Sequence, residues 1–187
     1  MKRFVLVLVL LDCGSIAAAL ESGGSAAAVH NQSQITRERV IELMNAYRAE
    51  VGLPPLREDA RLNKAAEDRM RDMEDQAYWS HESPAGVSPF AWITARGYSY
   101  NAAAENLATG FETAGLLVAS WMESPGHRAS ILSPDFHDCG IAIIDGATTG
   151  PSTGRSVVVL FGAPYVMQVT LPGSTDPPRA PTSSSHP

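Results

Sequence analysis

Three residues in this 187-residue chain are the best candidates for chemistry: His81, Glu105 and His127, which are separated in sequence by 24 and 22 residues. Imidazole nitrogens and carboxylate oxygens are ligands for divalent metals in proteins. The spacing alone is a weak metal signal, because no short ligand motif joins the three residues. The segment HESPA (81–85) lacks the second histidine of the HExxH zinc helix, and Pro84 would break that helix.

His127 also has a purely structural interpretation. In SPGHRASIL (124–132), Ser124 can cap a short helix and Pro125 suits its first position, which would leave His127 as a solvated first-turn residue. A nucleophile built from Ser124 and His127 has no third residue to orient it, so we assign no catalytic residue. The sequence contains no GxSxG elbow, Gly-rich phosphate loop or CxxC pair.

Glu105 lies in NAAAENLATG (101–110), among alanine, leucine and glycine. Small apolar neighbours cannot solvate a carboxylate. We therefore expect Glu105 either to point into solvent or to have a partner from elsewhere in the chain.

Composition is typical of one globular domain with a sizeable core, since 44% of the residues are hydrophobic and 18% are charged. The net charge is −6, and lysine and arginine are scattered. Without a basic stripe we expect no nucleic-acid partner and no binding to an anionic membrane surface.

The first residues have the layout of a secretory signal peptide. A basic start (MKR) precedes the apolar run 4–11, and small residues follow, which predicts cleavage after Ala19 or Ala28. Eight apolar residues are too few for a membrane span, which takes roughly 20. The alternative is a buried first helix.

Neither cysteine is predicted to carry a lipid anchor, a disulfide or a reactive thiol. Asp12 stands where a small residue would precede an acylated cysteine, which argues against a lipid anchor at Cys13. Signal cleavage would leave Cys139 alone, without an internal disulfide, and its apolar context favours packing in a strand. The Pro- and Ser-rich residues 172–187 predict a disordered tail, so the folded domain is expected over 33–171.

Hydrophobic periodicity predicts helices first and strands later, which is the α+β class, with helices packed on a small antiparallel sheet. The strands are continuously apolar, so we expect the sheet to be covered on both faces. We interpret the charged faces of the second helix as solvated surface. The predicted helices are 35–52, 57–77, 88–98 and 113–122, and the predicted strands are 139–144, 156–162 and 165–170.

Residues 35–163 resemble the CAP superfamily, which comprises cysteine-rich secretory proteins, antigen 5 and pathogenesis-related 1 proteins, and within it the bacterial secreted branch. The resemblance is collinear over nearly the whole expected domain. It rests on NAYRAEVGLPPL (45–56), SHESPAG (80–86), AENLATG (104–110), WMESPGHRASIL (121–132) and FHDCGIAI (136–143).

The resemblance implies an α-β-α sandwich with a cleft lined by His81, Glu105, Ser124 and His127. Two of these match the family's histidines and Glu105 matches its first acidic residue. Ser124 stands where the eukaryotic branch has the second acidic residue, so one carboxylate is missing. Two imidazoles and a carboxylate form a usable site for a divalent metal, so we expect His81, His127 and Glu105 to hold one, most simply zinc.

The function we expect is that of a secreted, monomeric, non-enzymatic binding module with a sterol, another lipid or a peptide as ligand. The alternative is a metal-dependent, peptidase-like hydrolase acting on extracellular or cell-envelope material, with Glu105 as base. A third alternative is a vestigial cleft in a domain that acts through its surface.

Overall fold

The computed structural model describes residues 34–146 and 154–165. Several predictions concern residues outside these ranges: the signal peptide and its cleavage site, the behaviour of Cys13, the strand 165–170 beyond Tyr165, and the tail 172–187. They stay predictions. Within the described ranges, no helix has the length and apolar character needed to cross a membrane.

The described residues form a three-layer α-β-α structure, which confirms the α+β class. The sheet has the order β1-β3-β4-β2, with β4 antiparallel to both of its neighbours and β1 parallel to β3. The helices are α1 (Arg37–Glu50), α2 (Ala60–Asp75), α3 (Phe90–Ala95), α4 (Ala114–Glu123) and α5 (Pro125–Ile131), and the strands are β1 (Arg57–Glu58), β2 (Tyr100–Phe111), β3 (Asp138–Asp145) and β4 (Arg155–Pro164).

The second predicted helix begins later than expected. Asp59 accepts hydrogen bonds from the backbone N–H groups of Arg61 and Leu62, so it caps α2 and the helix starts at Ala60 rather than at 57. The preceding residue pair is bonded to the sheet instead: the Arg57 N–H donates to the His137 carbonyl at 2.9 Å. This makes β1 a short parallel partner of β3, and the sheet is not wholly antiparallel.

Strand β2 has no counterpart among the predicted elements. Its sequence YNAAAENLATGF contains no valine or isoleucine and three consecutive alanines, so it lacks the usual β-strand composition. Tertiary pairing with β4 decides its conformation. The third helix is also shorter than predicted, at Phe90–Ala95 instead of 88–98.

The core has two halves, one on each face of the sheet, as the continuous apolar strands predicted. Along β4, Val157, Val159 and Phe161 pack with α1, α4 and α5, whereas Val158 and Leu160 pack with α2 and α3. Successive strand residues point to opposite faces, so a strand covered on both sides must be apolar throughout. Cys139 is buried in β3, where burial raises the pKa of its thiol to about 12, as expected for a packed rather than reactive cysteine.

Helix α2 approaches the sheet at a glycine. A β-carbon on Gly140 would lie 2.1 Å from the carbonyl carbon of Leu62, so no larger residue fits without movement. Beside it, the Asn63 side chain accepts from the Ile141 N–H at 2.8 Å. These contacts fix α2 against the sheet, and α2 carries a residue of the candidate site.

Candidate functional site

The expected cleft lies at strand β2, which is an edge strand of the sheet. The segment between α2 and α3, which carries His81, lies beside this strand. Both contribute to the wall of a cavity of about 420 Å³, which is lined by His81, Glu82, Ser88, Pro89, Phe90, Ala103, Ala104 and Glu105.

Glu105 lies at the base of this cavity, and its side chain is only 1% exposed. One carboxylate oxygen, Oε1, lies 2.8 Å from His81 Nδ1. The other, Oε2, accepts a hydrogen bond from Arg69 Nε at 3.0 Å. Of the two alternatives left open by the sequence, a partnered carboxylate is therefore the correct one.

Arg69 is the site residue that the sequence analysis missed. Its side chain is fully buried, although the charged faces of α2 had been interpreted as solvated surface. Besides Glu105, it donates to the Tyr78 hydroxyl and to the Ser80 carbonyl, and its guanidinium carbon lies 4.9 Å from the centre of the Trp92 ring. That interpretation is wrong at this position because a buried carboxylate and a carbonyl from two other segments satisfy the guanidinium. The available signal was its helical register, since Arg69 follows Ala66 by three residues and precedes Met73 by four.

Two contacts fix the position of His81, one through the backbone beside it and one through its ring. The Arg69 bond to the Ser80 carbonyl holds the preceding residue, and Glu105 holds Nδ1. The ring is otherwise accessible, with 60% of the side chain exposed. A carboxylate beside Nδ1 favours the tautomer with its proton there, which leaves Nε2 as the acceptor of a ring that lines the cavity.

His127 lies in the first turn of α5 and is held through its backbone. Its carbonyl accepts from Asn106 Nδ2 at 3.1 Å, and its ring meets the Trp121 ring edge-on at 6.3 Å between centres. Burial lowers the pKa of His127, and the nearby charge of His81 lowers it further. Adjacent β2 residues thus position the two histidines: Glu105 holds the ring of one, and Asn106 holds the main chain of the other.

Ser124 occupies the position before α5, with Pro125 as the first helical residue, as predicted. Its hydroxyl makes no capping hydrogen bond within the described residues. Glu123 is exposed, and His137 is exposed with its Nδ1 2.8 Å from the Asp135 carbonyl.

The donor set fits a metal only in part. Both oxygens of Glu105 are engaged, and within residues 34–146 and 154–165 no group of three histidine, cysteine or acidic residues is arranged to hold an ion. Of the three predicted ligands, the two imidazoles of His81 and His127 remain, and Glu105 is bonded to the first of them. Metal-bound histidines commonly donate their other ring N–H to a carboxylate in this way.

Comparisons with known proteins agree with this architecture. The model of the cysteine-rich secretory protein (CAP) family matches residues 41–160. The uncharacterized protein YkwD of Bacillus subtilis (strain 168) is 42% identical over 108 residues, which are 58% of this chain and 42% of that protein. The chain therefore spans less than half the length of this relative.

Solved structures show the same fold at lower identity. An outer surface protein of Borrelia burgdorferi has a TM-score of 0.61 at 24% identity, covering 71% of this chain and 98% of that one. An extracellular protein containing an SCP domain, from Bacillus anthracis str. Ames, has a TM-score of 0.59 at 22% identity, covering 71% and 40%. The family match extends over most of the described fold and includes the four residues predicted to line the cleft, so the chain belongs to the cysteine-rich secretory protein (CAP) family.

Proposed function

We propose that this chain is a secreted, non-enzymatic binding module whose cleft takes a ligand with an apolar group, from a lipid or a peptide. Two relatives with the same fold are described as an extracellular and an outer surface protein, and the N-terminal residues have signal-peptide character.

The observation that carries this proposal is the state of Glu105. A general base must be free to accept a proton from water or substrate. Both oxygens of Glu105 are bonded, one of them to a guanidinium that is itself fully buried. A carboxylate held in this way can orient His81 but is not free to act as the general base that the hydrolase alternative needs.

The cavity beside Glu105 supports an apolar ligand group. Pro89, Phe90, Ala103 and Ala104 form much of its wall, and its volume is about 420 Å³. Ligand sites combine such walls with a few polar groups that fix orientation. The polar residues in this lining are His81, Glu82, Ser88 and Glu105.

We further propose that His81 and His127 bind a divalent metal, of which zinc is the first candidate. Water or the ligand would supply the remaining donors. Two neutral imidazoles are suitable zinc donors, and the lowered pKa of His127 keeps that ring neutral at physiological pH. Glu105 would orient His81 from outside the coordination sphere.

Titration calorimetry tests both proposals. We expect zinc to bind the wild type, the His81→Ala/His127→Ala variant to lose at least tenfold in affinity, and His137→Ala to bind like the wild type. Dodecylphosphocholine serves as the apolar probe, and Phe90→Ser should weaken its binding. Zinc binding that is equal in all three proteins would overturn the metal site.

A hydrolase would behave differently. The zinc-loaded protein would cleave a mixed peptide substrate, and both His127→Ala and EDTA would abolish the cleavage. Such turnover, followed by mass spectrometry, would contradict the non-enzymatic proposal.

A further inference from the structure

The backbone of β2 presents hydrogen-bonding groups to the cleft. In an antiparallel ladder, the N–H and C=O of one residue point to the same side, and the side alternates along the strand. The Gly162 carbonyl of β4 accepts from the His137 N–H, so Gly162 points away from β2. Ala103 lies opposite Gly162 in register, and its own N–H and C=O must therefore point outward.

A second contact independently shows which residues of β2 point their backbone N–H and C=O groups away from β4. The indole N–H of Trp121 donates to the Leu107 carbonyl at 3.2 Å, on the outer edge of β2. The register with β4 runs unbroken from Ala102 to Ala108. Ala103, Glu105 and Leu107 therefore all present their backbone groups to the same outer edge.

Part of this edge has no partner in the described structure. Trp121 covers the edge at Leu107, whereas no hydrogen bond within residues 34–146 and 154–165 reaches the outward groups of Ala103 or Glu105. These two residues border the 420 Å³ cavity. The side chains at 102–104 are all methyl groups, so another backbone can approach closely.

The stretch has the length of a short docking site rather than of a sheet-to-sheet interface. Register irregularities interrupt β2 between Tyr100 and Ala102 and between Ala108 and Phe111. Such bulges limit pairing at sheet edges. Among the described residues, the outward backbone groups of Ala103 and Glu105 remain without a hydrogen bond, over a stretch of about 7–10 Å at roughly 3.3 Å per residue.

We propose that the ligand of the cleft is an extended peptide segment that pairs with Ala103–Glu105 as an additional strand and places one apolar side chain in the cavity. This inference rests on the proposed function and names the ligand class. An alternating row of N–H and C=O groups is complementary to an extended main chain, as in other cases of strand addition. A lipid chain would leave these groups without partners, which is unfavourable once water is displaced.

A second copy of this chain fits less well. The open edge borders a cavity lined by the His81 segment and α3, and a single extended strand needs less room there than a folded sheet with its covering helices. The net charge of −6 also sets two copies against each other.

The first experiment selects linear 12-residue peptides from a random library displayed on phage, against the full chain with zinc present. The probe is the selected peptide, synthesised with free N–H groups and in two N-methylated forms. Each form carries methyl groups on alternate residues, in one phase or the other. Strand addition predicts that one phase loses at least tenfold in affinity, because only every second N–H faces β2, while the other phase binds like the parent.

The matched variants alter the same residue in two ways. Ala103→Pro removes the outward N–H at an edge position where proline is tolerated, and it should weaken the peptide at least tenfold. Ala103→Ser keeps the N–H, so it should bind the peptide at least tenfold more tightly than Ala103→Pro does; equal affinity of the two variants would overturn the role of the N–H. Circular dichroism and the zinc titration confirm that both variants retain the fold.

The outcomes separate this inference from the function on which it rests. Dodecylphosphocholine binding in the cleft, without peptide selection or with peptides indifferent to N-methylation, overturns strand addition but keeps the binding module. Analytical ultracentrifugation that shows dimerisation blocked by Ala103→Pro would assign the edge to a second copy instead. Binding of neither probe overturns both proposals.

Discussion

At the scale of single residues, Arg69 and Glu105 form the least replaceable pair of the cleft. Both side chains are at most 1% exposed and lie 3.0 Å apart. Removing one partner leaves the other charge buried without compensation. We therefore expect Arg69→Met to lower the free energy of unfolding by about 3–5 kcal/mol.

The control is Arg71→Met on the same helix, where the side chain is 64% exposed and pairs with Asp68. We expect a change within about 0.5 kcal/mol there. Urea denaturation compares the two variants, and a double-mutant cycle with Glu105→Gln isolates the pair. An equal loss of unfolding free energy in Arg69→Met and Arg71→Met would show that the buried pair contributes no more to stability than the exposed one.

His127 gives a pH-dependent prediction at the same scale. Burial is the main cause that lowers its pKa, and the charge of His81 is the second. His81→Gln should therefore raise the pKa of His127 without restoring the ordinary value. NMR titration of the imidazole protons in EDTA measures this pKa. An unchanged pKa of His127 in the variant would show that the charge of His81 does not act on it.

The sign for stability follows from the direction of the shift. The unfolded chain protonates His127 near its ordinary pKa of about 6.5, whereas the folded chain protonates it only at lower pH. Its contribution to stability is thus fully present above pH ~6.5 and is lost as the pH falls through the folded pKa. Replacing His127 with glutamine should flatten the loss of stability in that acidic range.

At the scale of elements, the packing of α2 on β3 depends on Gly140. A β-carbon there would meet α2 backbone at 2.1 Å, so Gly140→Ala should displace the helix and cost about 1–3 kcal/mol. Because α2 carries Arg69, zinc affinity should fall in the same variant.

Gly115 in α4 is the matched control, since a β-carbon there would meet no atom within 4 Å. Alanine favours a helix over glycine, so Gly115→Ala should stabilise the protein by up to about 1 kcal/mol. Thermal denaturation compares the two. A Gly140→Ala variant as stable as the wild type would mean that α2 can shift without cost.

At the scale of the whole molecule, Arg48 ties together segments that lie far apart in sequence. It is fully buried in α1, and its guanidinium donates to the carbonyls of Pro54, Ile131, Ser133 and Phe136 at 2.8–3.0 Å. Burial lowers its pKa. These bonds join α1 to the end of α5 and to the chain that enters β3.

We expect Arg48→Met to cost at least about 3 kcal/mol, because each buried carbonyl left without a donor costs about 1–3 kcal/mol. Arg48→Lys should lie between the wild type and this variant, since an ammonium cannot reach all four acceptors. The control is Arg57→Met, whose side chain is 71% exposed. Hydrogen exchange should show α5 opening more readily in Arg48→Met. Unchanged protection of α5 would contradict the role of Arg48 in holding that helix.

The sequence by itself determined the class of the fold and the family, and it singled out His81, Glu105 and His127 as predicted cleft residues. Helix periodicity, helix-start residues such as Pro125 and the apolar strands are local patterns, and local patterns can be read from neighbouring residues. The motifs around His81, Glu105 and His127 identified these residues, although nothing in their spacing gave their contacts.

Only the tertiary structure decided what those residues meet. Strand β2 is a strand because β4 pairs with it, and Arg69 is buried because Glu105 and Ser80, 36 and 11 residues away, satisfy its guanidinium. The backbone groups of Ala103 likewise point outward because the carbonyl of Gly162, its partner in register, points to the His137 side rather than to β2. Hydrogen bonds and buried charges between distant segments have no signature in any single stretch of sequence, because their free energy depends on where the chain brings both partners.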